Sequence, residues 1–575
     1  MGGLMQLVAK GAQDILVCGN PSFTHFRSVY KRHTDFAMEH FQLVFQSKNL
    51  QIPQSGTLTL RAKVEQFAQL VNDCYLILDL PNIYSPVVPI QSGHTNINQS
   101  TTALGYDFQW INNIGYNIIN YVAIVINGQE VVRHTGEWMK LYANLNFDPH
   151  KKALVDQMVG NVPAMYDPAN AYGRVNQYPS SIYSTSSNPP EPSIYGRSLN
   201  IPLHFWFCED VGSALPIGAL QYSVVEIVVE LKNMYQLFTV IDNRDYVKGV
   251  FNNTTFNTRI APDPTDPRFM MNMFLSPPVY NSSPVVPTIP DLTTWRLNPY
   301  IEANYIFLSD AEMAHVVKTE HSFIINQVDV TSSEGQYGPS NDLLLLMRNL
   351  CTQVVWVVQR NDRAQNNDYD NYTNWTNAFA PPIDISNYNP ITASLTSGNA
   401  LPTNVSQRDS LIESTIVFDG LERFGTKPFS FFSLIQHYRH YSGQSVTTIP
   451  GVYSYSFSLD HYKGQPSGHV NGSMINKVVL RNTYIQPPTI PPNSSTGTVT
   501  QCVLKSTLNL PNPTVVNPNQ RDAQGNLLYG PNDVVTVVVK GTAQTNQYTY
   551  NVRAFVESYN YLRITGGIAN VVFSS

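Results

Sequence analysis

His437 and His440 stand three residues apart, a spacing that sets two imidazoles on one helical face, where they could hold a metal ion. No nearby Cys and no evident third ligand joins them, so ordinary polar or half-buried histidines are the expectation, and no metal is assigned. Five cysteines, Cys18, Cys74, Cys208, Cys351 and Cys502, are far apart, odd in number and form no CxxC pair. They read as reduced, buried thiols, not as a disulfide framework or a zinc site. Adjacent carboxylates such as Glu209-Asp210 would point to opposite faces of a strand, which a general acid/base pair cannot use. The phosphate loop GxxxxGKS/T, the GxGxxG turn, the HExxH pair and the GxSxG elbow are all missing. The chain is therefore expected to carry no catalytic residue and no cofactor, and not to be an enzyme.

Two aromatic clusters, Phe205-Trp206-Phe207 and Tyr453, Tyr455 and Phe457, have the chemistry of a sugar-stacking platform. Aromatics also dominate cores and subunit interfaces, and that reading is favoured. Net charge is −6, and the densest basic cluster is only Lys31-Arg32-His33. Nothing here would neutralise a run of phosphates, so direct nucleic-acid binding is not expected. No apolar run approaches the ~18 residues of a membrane span, and no signal-peptide apolar region is evident at the N-terminus. Met1-Gly2-Gly3 hints at myristoylation, but Gln6 stands where Ser or Thr would complete the motif.

The elements that must carry these residues are mostly strands. The 575 residues exceed one ordinary domain of ~100–200. Charged residues are 13 %, against a usual ~25 %, so the surface must be largely neutral. The 33 Tyr, 26 Phe and 39 Pro suit strands joined by long ordered loops. Alternation marks Phe41, Leu43 and Phe45, then Leu58, Leu60, Ala62 and Val64, then Val225, Ile227, Val229 and Leu231. Tyr121 to Ile126, Asn127-Gly128 and Gln129 to Arg133 predict a hairpin with a type I′ turn. Val354 to Val358, Val478 to Leu480, Val534 to Val539 and Tyr548 to Phe555 are further strands, and Val537-Val538-Val539 should be buried on both faces. Leu4, Leu7 and Val8 have helical spacing in a short docking arm. Ser309-Asp310-Ala311-Glu312 reads as a capping box opening the only well-signposted later helix. Long loops at Tyr166–Asn200, Asp242–Leu297 and Asn361–Gln407 separate the strands. Many short strands with large excursions fit jelly rolls, and the length fits two.

Five stretches, in order along nearly the whole chain, resemble the major capsid proteins of nucleocytoplasmic large DNA viruses. The first holds Gln13 and Asp14, then Asn20-Pro21, then Arg32-His33. The second runs from Pro202 to Cys208 into Leu215-Pro216 and Gln221-Tyr222, and the third is Tyr305 to Gln327. The fourth is Gln465-Pro466-Ser467-Gly468, and the last is Ser558 to Ile564 with Gly566-Gly567. The resemblance implies an all-β chain of two tandem eight-stranded antiparallel jelly rolls with short helices and long loop insertions. By that analogy 1–26 is an N-terminal arm, 27–237 the first roll, 238–298 a Pro-rich connecting insertion and 299–575 the second roll. It implies a homotrimer forming a pseudo-hexagonal capsomer that tiles an icosahedral virion. Implied partners are neighbouring capsomers, minor capsid proteins, and inner membrane proteins or host surface glycans reached through loops. Assembly would take place in the infected cell's cytoplasm. Two other readings stay open: a minor or vertex capsid paralogue, and a carbohydrate-binding or carbohydrate-active jelly-roll protein.

Overall fold

The computed structural model describes residues 2–47, 50–89, 103–174, 177–179, 181, 191–241, 259–265, 269–277, 295–361, 363, 367–375, 399–400, 408–443, 450–461, 465–486, 498–504, 534–540 and 549–573. Within them, β1 (Phe36–Val44), β2 (Leu58–Lys63), β3 (Leu70–Leu80), β4 (Ile119–Ile126), β5 (Gln129–Thr135), β6 (Arg197–Pro202), β7 (Val225–Leu231) and β8 (Tyr300–Leu308) build two antiparallel sheets. Their orders are β1-β8-β3-β6 and β2-β7-β4-β5. The second set is β9 (His321–Gln336), β10 (Ser340–Leu345), β11 (Leu350–Arg360), β12 (Leu411–Phe418), β13 (Leu421–Glu422), β14 (Val452–Ser456), β15 (Val478–Tyr484) and β16 (Tyr550–Thr565). Its main orders are β9-β16-β11-β14 and β10-β15-β12-β13, the first pattern with every index raised by eight. Each set is a jelly roll, in which the last strand returns to lie beside the first.

Period-two burial explains the register. Val225, Ile227, Val229 and Leu231 are buried along β7, while Glu226 and Glu230 lie on the other face and meet Arg61 at 3.4 Å and Asn120 at 2.7 Å. The hairpin between β4 and β5 turns on Asn127 (φ 52°) and Gly128 (φ 80°), both in the left-handed region that a type I′ turn requires. In β11 the uninterrupted apolar run serves two cores. Val354, Trp356 and Val358 enter the second roll's interior, and Val355 and Val357 face a separate cluster on the sheet's outer side. The strand Val534–Lys540 pairs with Thr498–Leu504, but the side chains of Val537, Val538 and Val539 lie outside the described residues.

Several expectations shift. β8 hydrogen-bonds between β1 and β3, so residues 300–308 close the first roll, and a second roll beginning at 299 would take away its last strand. The Pro-rich span 238–298 is in part built onto the first roll. Phe238–Ile241 pairs with Gln109–Trp110 and Arg259–Ile260, and Phe269, Phe274 and Trp295 belong to the first roll's core. β16 extends to Thr565, ten residues past the end read from the sequence, because β9 pairs with it as far as Ile564 and the return Ile568–Val571 takes the other side beyond β11.

Among the helices are α1 (Gly2–Val8), α2 (Ile15–Cys18), α3 (Gly136–Asn146), α4 (Pro149–Met158), α5 (Trp206–Glu209) and α6 (Asp310–Lys318). α6 forms where the capping box predicts a helix, but the Ser309 hydroxyl makes no cap hydrogen bond; Asp310 and Glu312 in the first turn, with His315 and Lys318 in the last, match the helix dipole instead. α3 and α4 add to the strands expected from the sequence, although Trp138, Leu141, Tyr142 and Leu145 recur at helical spacing in α3. Their caps were legible: the Thr135 hydroxyl accepts from Trp138 N–H at 3.1 Å, and Asp148, ahead of Pro149, accepts from His150 and Lys151 N–H at 2.9 Å.

Trp356 is fully buried against Phe432 and Tyr453 at the centre of the second roll. Trp356→Ala is expected to cost about 3–5 kcal/mol, read as a lower urea midpoint at unchanged slope.

Candidate functional site, the seam between the two rolls

Helix α3 leaves β5 directly and lies between the rolls. It starts at Gly136, where a Cβ would come within 2.1 Å of the Tyr116 carbonyl oxygen, so only Gly fits. Met139 and Ala143 join the first roll's core. Trp138, Leu141, Tyr142 and Leu145, spaced as one helical ridge, pack on Val355, Val357, Val452 and Phe555 from the outer face of the second roll. The Trp138 and Phe555 rings lie 5.7 Å apart.

A charged network surrounds that ridge. The Arg553 guanidinium on β16 donates to Glu137 in fork geometry, Nε to Oε2 and Nη2 to Oε1, each at 2.7 Å. Nη2 also donates to Gln359 Oε1 at 2.8 Å, and the Tyr372 hydroxyl donates to Glu137 Oε1 at 2.7 Å. Burial works to raise the Glu137 carboxyl, but Arg553, Lys140 and the Tyr372 hydroxyl outweigh it and hold it at about 2. One turn along, the buried Lys140 ammonium pairs with Asp370, and Asn117 Nδ2 donates to the same carboxylate at 2.9 Å. Lys232 lies 4.4 Å over the Tyr369 ring; burial and the neighbouring Lys140 bring it down to about 8. Thus the loop after β11, at 369–372, supplies groups that fasten the second roll to the first.

Two further contacts complete the seam. Gln327 of β9 donates to the Val131 carbonyl of β5 at 2.7 Å, and Tyr222 N–H donates to the Gly567 carbonyl at 3.1 Å. Ile325, Leu562, Ile564 and Ala569, all from the second roll's strands or their return, are buried in the first roll's core. The rolls therefore pack as one block across an apolar and charged seam.

Comparison with known proteins adds the family. A profile described as "Major capsid protein N-terminus" matches residues 24–264, and one described as "Large eukaryotic DNA virus major capsid protein" matches 312–509. The chain belongs to the major capsid protein family of large eukaryotic DNA viruses. Among its relatives is "Probable capsid protein 4" of Acanthamoeba polyphaga mimivirus, 23 % identical over 545 residues that span 86 % of this chain and 94 % of the relative. The major capsid protein of Phaeocystis pouchetii virus is 25 % identical over 560 residues, 84 % of this chain and 94 % of that one. In three dimensions the chain is similar to the PBCV-1 VP54 crystal structure fitted into a reconstruction of the virophage Sputnik. The TM-score is 0.57 at 18 % identity, covering 96 % of this chain and all of the other, and it establishes the shared fold. This capsid protein is a structural component of the virion and not an enzyme.

The motif residues of the capsid protein do not converge on one site. Gln13, Asp14, Asn20 and Pro21 lie on the exposed arm, and Arg32 and His33 are exposed just ahead of β1; Asp14 accepts from Gly11 N–H at 2.6 Å and Asn20 takes φ 47°. Leu215 bridges Val71 through two 2.9 Å backbone bonds, and Pro216 is buried beside it. Gln221 and Tyr222 are exposed on the seam, where Tyr222 meets Gly567. Gln465 and Pro466 are exposed, while the Ser467 hydroxyl donates to the Asp460 carbonyl at 2.8 Å and Gly468 backs onto the Phe457 carbonyl. His437 and His440 do not share a ligand position: His437 is buried against Tyr441, and His440 Nδ1 lies 2.9 Å from the Leu459 carbonyl. Among the described residues no group of three His, Cys, Asp or Glu is placed to hold a metal. The seam residues Glu137, Lys140, Asp370 and Arg553 were missed. A sparsely charged chain that keeps Glu137 and Lys140 inside an apolar stretch was the available signal.

Removing one partner of the fork leaves a buried charge uncompensated. Arg553→Met is expected to cost about 3 kcal/mol in urea unfolding, and adding Glu137→Gln should recover part of that loss. Burial holds His134 down at about 4 and His204 at about 3. The unfolded chain takes up these protons below about 6.5 while the folded chain does not, so each histidine withdraws stability as pH falls. His134→Phe should gain about 2 kcal/mol relative to wild type between pH 7 and pH 5, measured as the change in unfolding free-energy difference.

Proposed function

We propose that three copies of this chain associate into a capsomer whose six jelly rolls present a pseudo-hexagonal outline, and that such tiles cover the facets of an icosahedral shell. The observation carrying this is the repeat of one strand order at an offset of eight, locked by the seam. Two matched rolls held at one angle make a third of a near-sixfold tile, so a threefold axis completes it. Exposed apolar side chains on both rolls, among them Val211, Leu421, Tyr438, Leu459 and Met474, supply material for contacts between copies. An obligate interface of that kind commonly exceeds ~2,000 Å².

The chain divides, on this reading, into an arm at 1–26, a first roll at 27–237 closed by 300–308, a connecting insertion within 238–298, and a second roll following α6. The arm, with Leu4, Leu7, Val8, Leu16 and Val17 exposed, would dock on minor capsid proteins or on inner membrane proteins. Host surface glycans would be met through the loop insertions, outside strand β6 and the seam segment 369–372. The family-motif residues would serve as structural clasps: Leu215-Pro216 and Ser467-Gly468 within rolls, Gln221-Tyr222 across the seam, and Gln13 to His33 at the base. Assembly in the infected cell's cytoplasm fits the free thiols of Cys18, Cys74, Cys208 and Cys351.

A second reading, a minor capsid paralogue, is favoured by one observation: mimivirus carries both a "Capsid protein 1" and a "Probable capsid protein 4" similar to this chain. Copy number per virion separates the two. The purified protein is expected to run as a trimer in native mass spectrometry and to show hexagonal particles in negative stain. A monomer that persists at micromolar concentration would overturn the trimeric tile.

A further inference from the structure

The offset of eight between the rolls reaches beyond their strands. Helix α3 follows β5, the marginal strand of the first roll's second sheet. The equivalent strand β13 is followed, after Lys427–Pro428 pairs briefly with β12, by a second helical segment. Its π-helical turn, Phe431–Ile435, runs without a break into α7 (Gln436–His440). The two segments share one pattern. In α3 the ridge Trp138, Leu141, Tyr142 and Leu145 faces away from the first roll, while Met139 and Ala143 enter its core. In the second segment Phe431, Leu434, Ile435 and Tyr438 recur at the same spacing, while Phe432 enters the second roll's core and Gln436 is buried. They differ in what lies over the ridge. That of α3 is covered by the outer face of β9-β16-β11-β14, whereas Leu434, Ile435 and Tyr438 are 50 %, 54 % and 93 % exposed.

The first roll's counterpart of the covering sheet is β1-β8-β3-β6. Leu76, Leu78, Ile301 and Ala303 belong to the first roll's core, so Tyr75, Ile77, Tyr300 and Glu302 lie on the sheet's other side. Register sets Val44, Tyr300 and Ile77 side by side across β1, β8 and β3, with Glu302, Tyr75 and Pro202 in the next row. Val44 is exposed, and Tyr300, Tyr75, Glu302 and Pro202 are half-buried. The face is therefore apolar and aromatic with one carboxylate. Exposed Arg439, in the last turn of α7, offers the opposite charge.

We propose that the ridge Leu434, Ile435 and Tyr438 of one copy packs on the outer face of β1-β8-β3-β6 of a second copy, making between chains the contact that α3 makes within one. This rests on the trimeric reading above and names its surfaces. The ridge and the face lie on different rolls, so the contact is head to tail, and such a contact closes into a ring when its rotation allows. Alternating with the internal seam, it gives three copies six roll-to-roll steps of one kind. Arg439 and Glu302 would orient the contact between chains as Arg553 and Glu137 orient the seam.

The test uses the full-length protein with Tyr438 replaced by p-benzoylphenylalanine, irradiated in its native state. The covalent dimer is then taken from a denaturing gel and mapped by peptide mass spectrometry. The expected result is a link from the peptide holding position 438 to one from β1, β3, β6 or β8. In a second arm, Ile435→Glu is expected to weaken the trimer about tenfold or more in native mass spectrometry, with the near-ultraviolet circular dichroism of the wild type. Val44→Glu should do the same from the other side. Should a variant fail to fold, the crosslink map decides. A trimer whose links from 438 reach other surfaces, or one that both folded variants leave at wild-type strength, overturns this interface and leaves the trimeric tile standing. A wild-type monomer overturns both.

Discussion

The contact of helix α3 with the outer face of the second roll is the constraint on which the rest depends. A jelly roll satisfies its own backbone and buries its own core, so two in tandem need not hold a fixed angle. Here the ridge Trp138, Leu141, Tyr142 and Leu145 gives the outer face of β11 and β16 something apolar to cover. That is why β11 can be apolar without interruption: Val355 and Val357 would otherwise stand in water. The Glu137–Arg553 fork sits at the edge of the same patch and fixes orientation in a way that non-directional apolar contact cannot.

Charge is used sparingly and at particular places. In a chain with 13 % charged residues, Glu137, Lys140, Lys232, Asp370 and Arg553 are gathered around the seam. Buried ion pairs contribute little net stability against apolar groups of the same shape, but a misaligned one is costly. The network therefore penalises wrong roll-to-roll angles more than it stabilises the correct one. For a shell tile, that penalty is what matters, because angular errors would accumulate over many copies. The rolls also shield each other's edges: β5 at one sheet's margin faces β9 at the other's, tied by Gln327 to Val131.

The framework was legible in the sequence because strand periodicity is local. The alternation in β7, the Asn127-Gly128 turn and the apolar run of β11 each depend on residues a few positions apart, and each formed as read. The ordered motifs added the family and with it the two-roll architecture. What the sequence could not show is pairing over long separations. β8 joins β1 across more than two hundred residues, so the first roll's last strand was assigned to the second.

By itself, then, the sequence determined an all-β chain with two rolls, sparse charge and no catalytic constellation, since these follow from composition, short-range pattern and motif order. Only the tertiary structure decided where the first roll closes, that α3 is a helix shared by two cores, and that Glu137 meets Arg553. The physical reason is the same in each case. Helical spacing groups residues on a face without showing what covers it, and partners hundreds of residues apart leave no periodic trace.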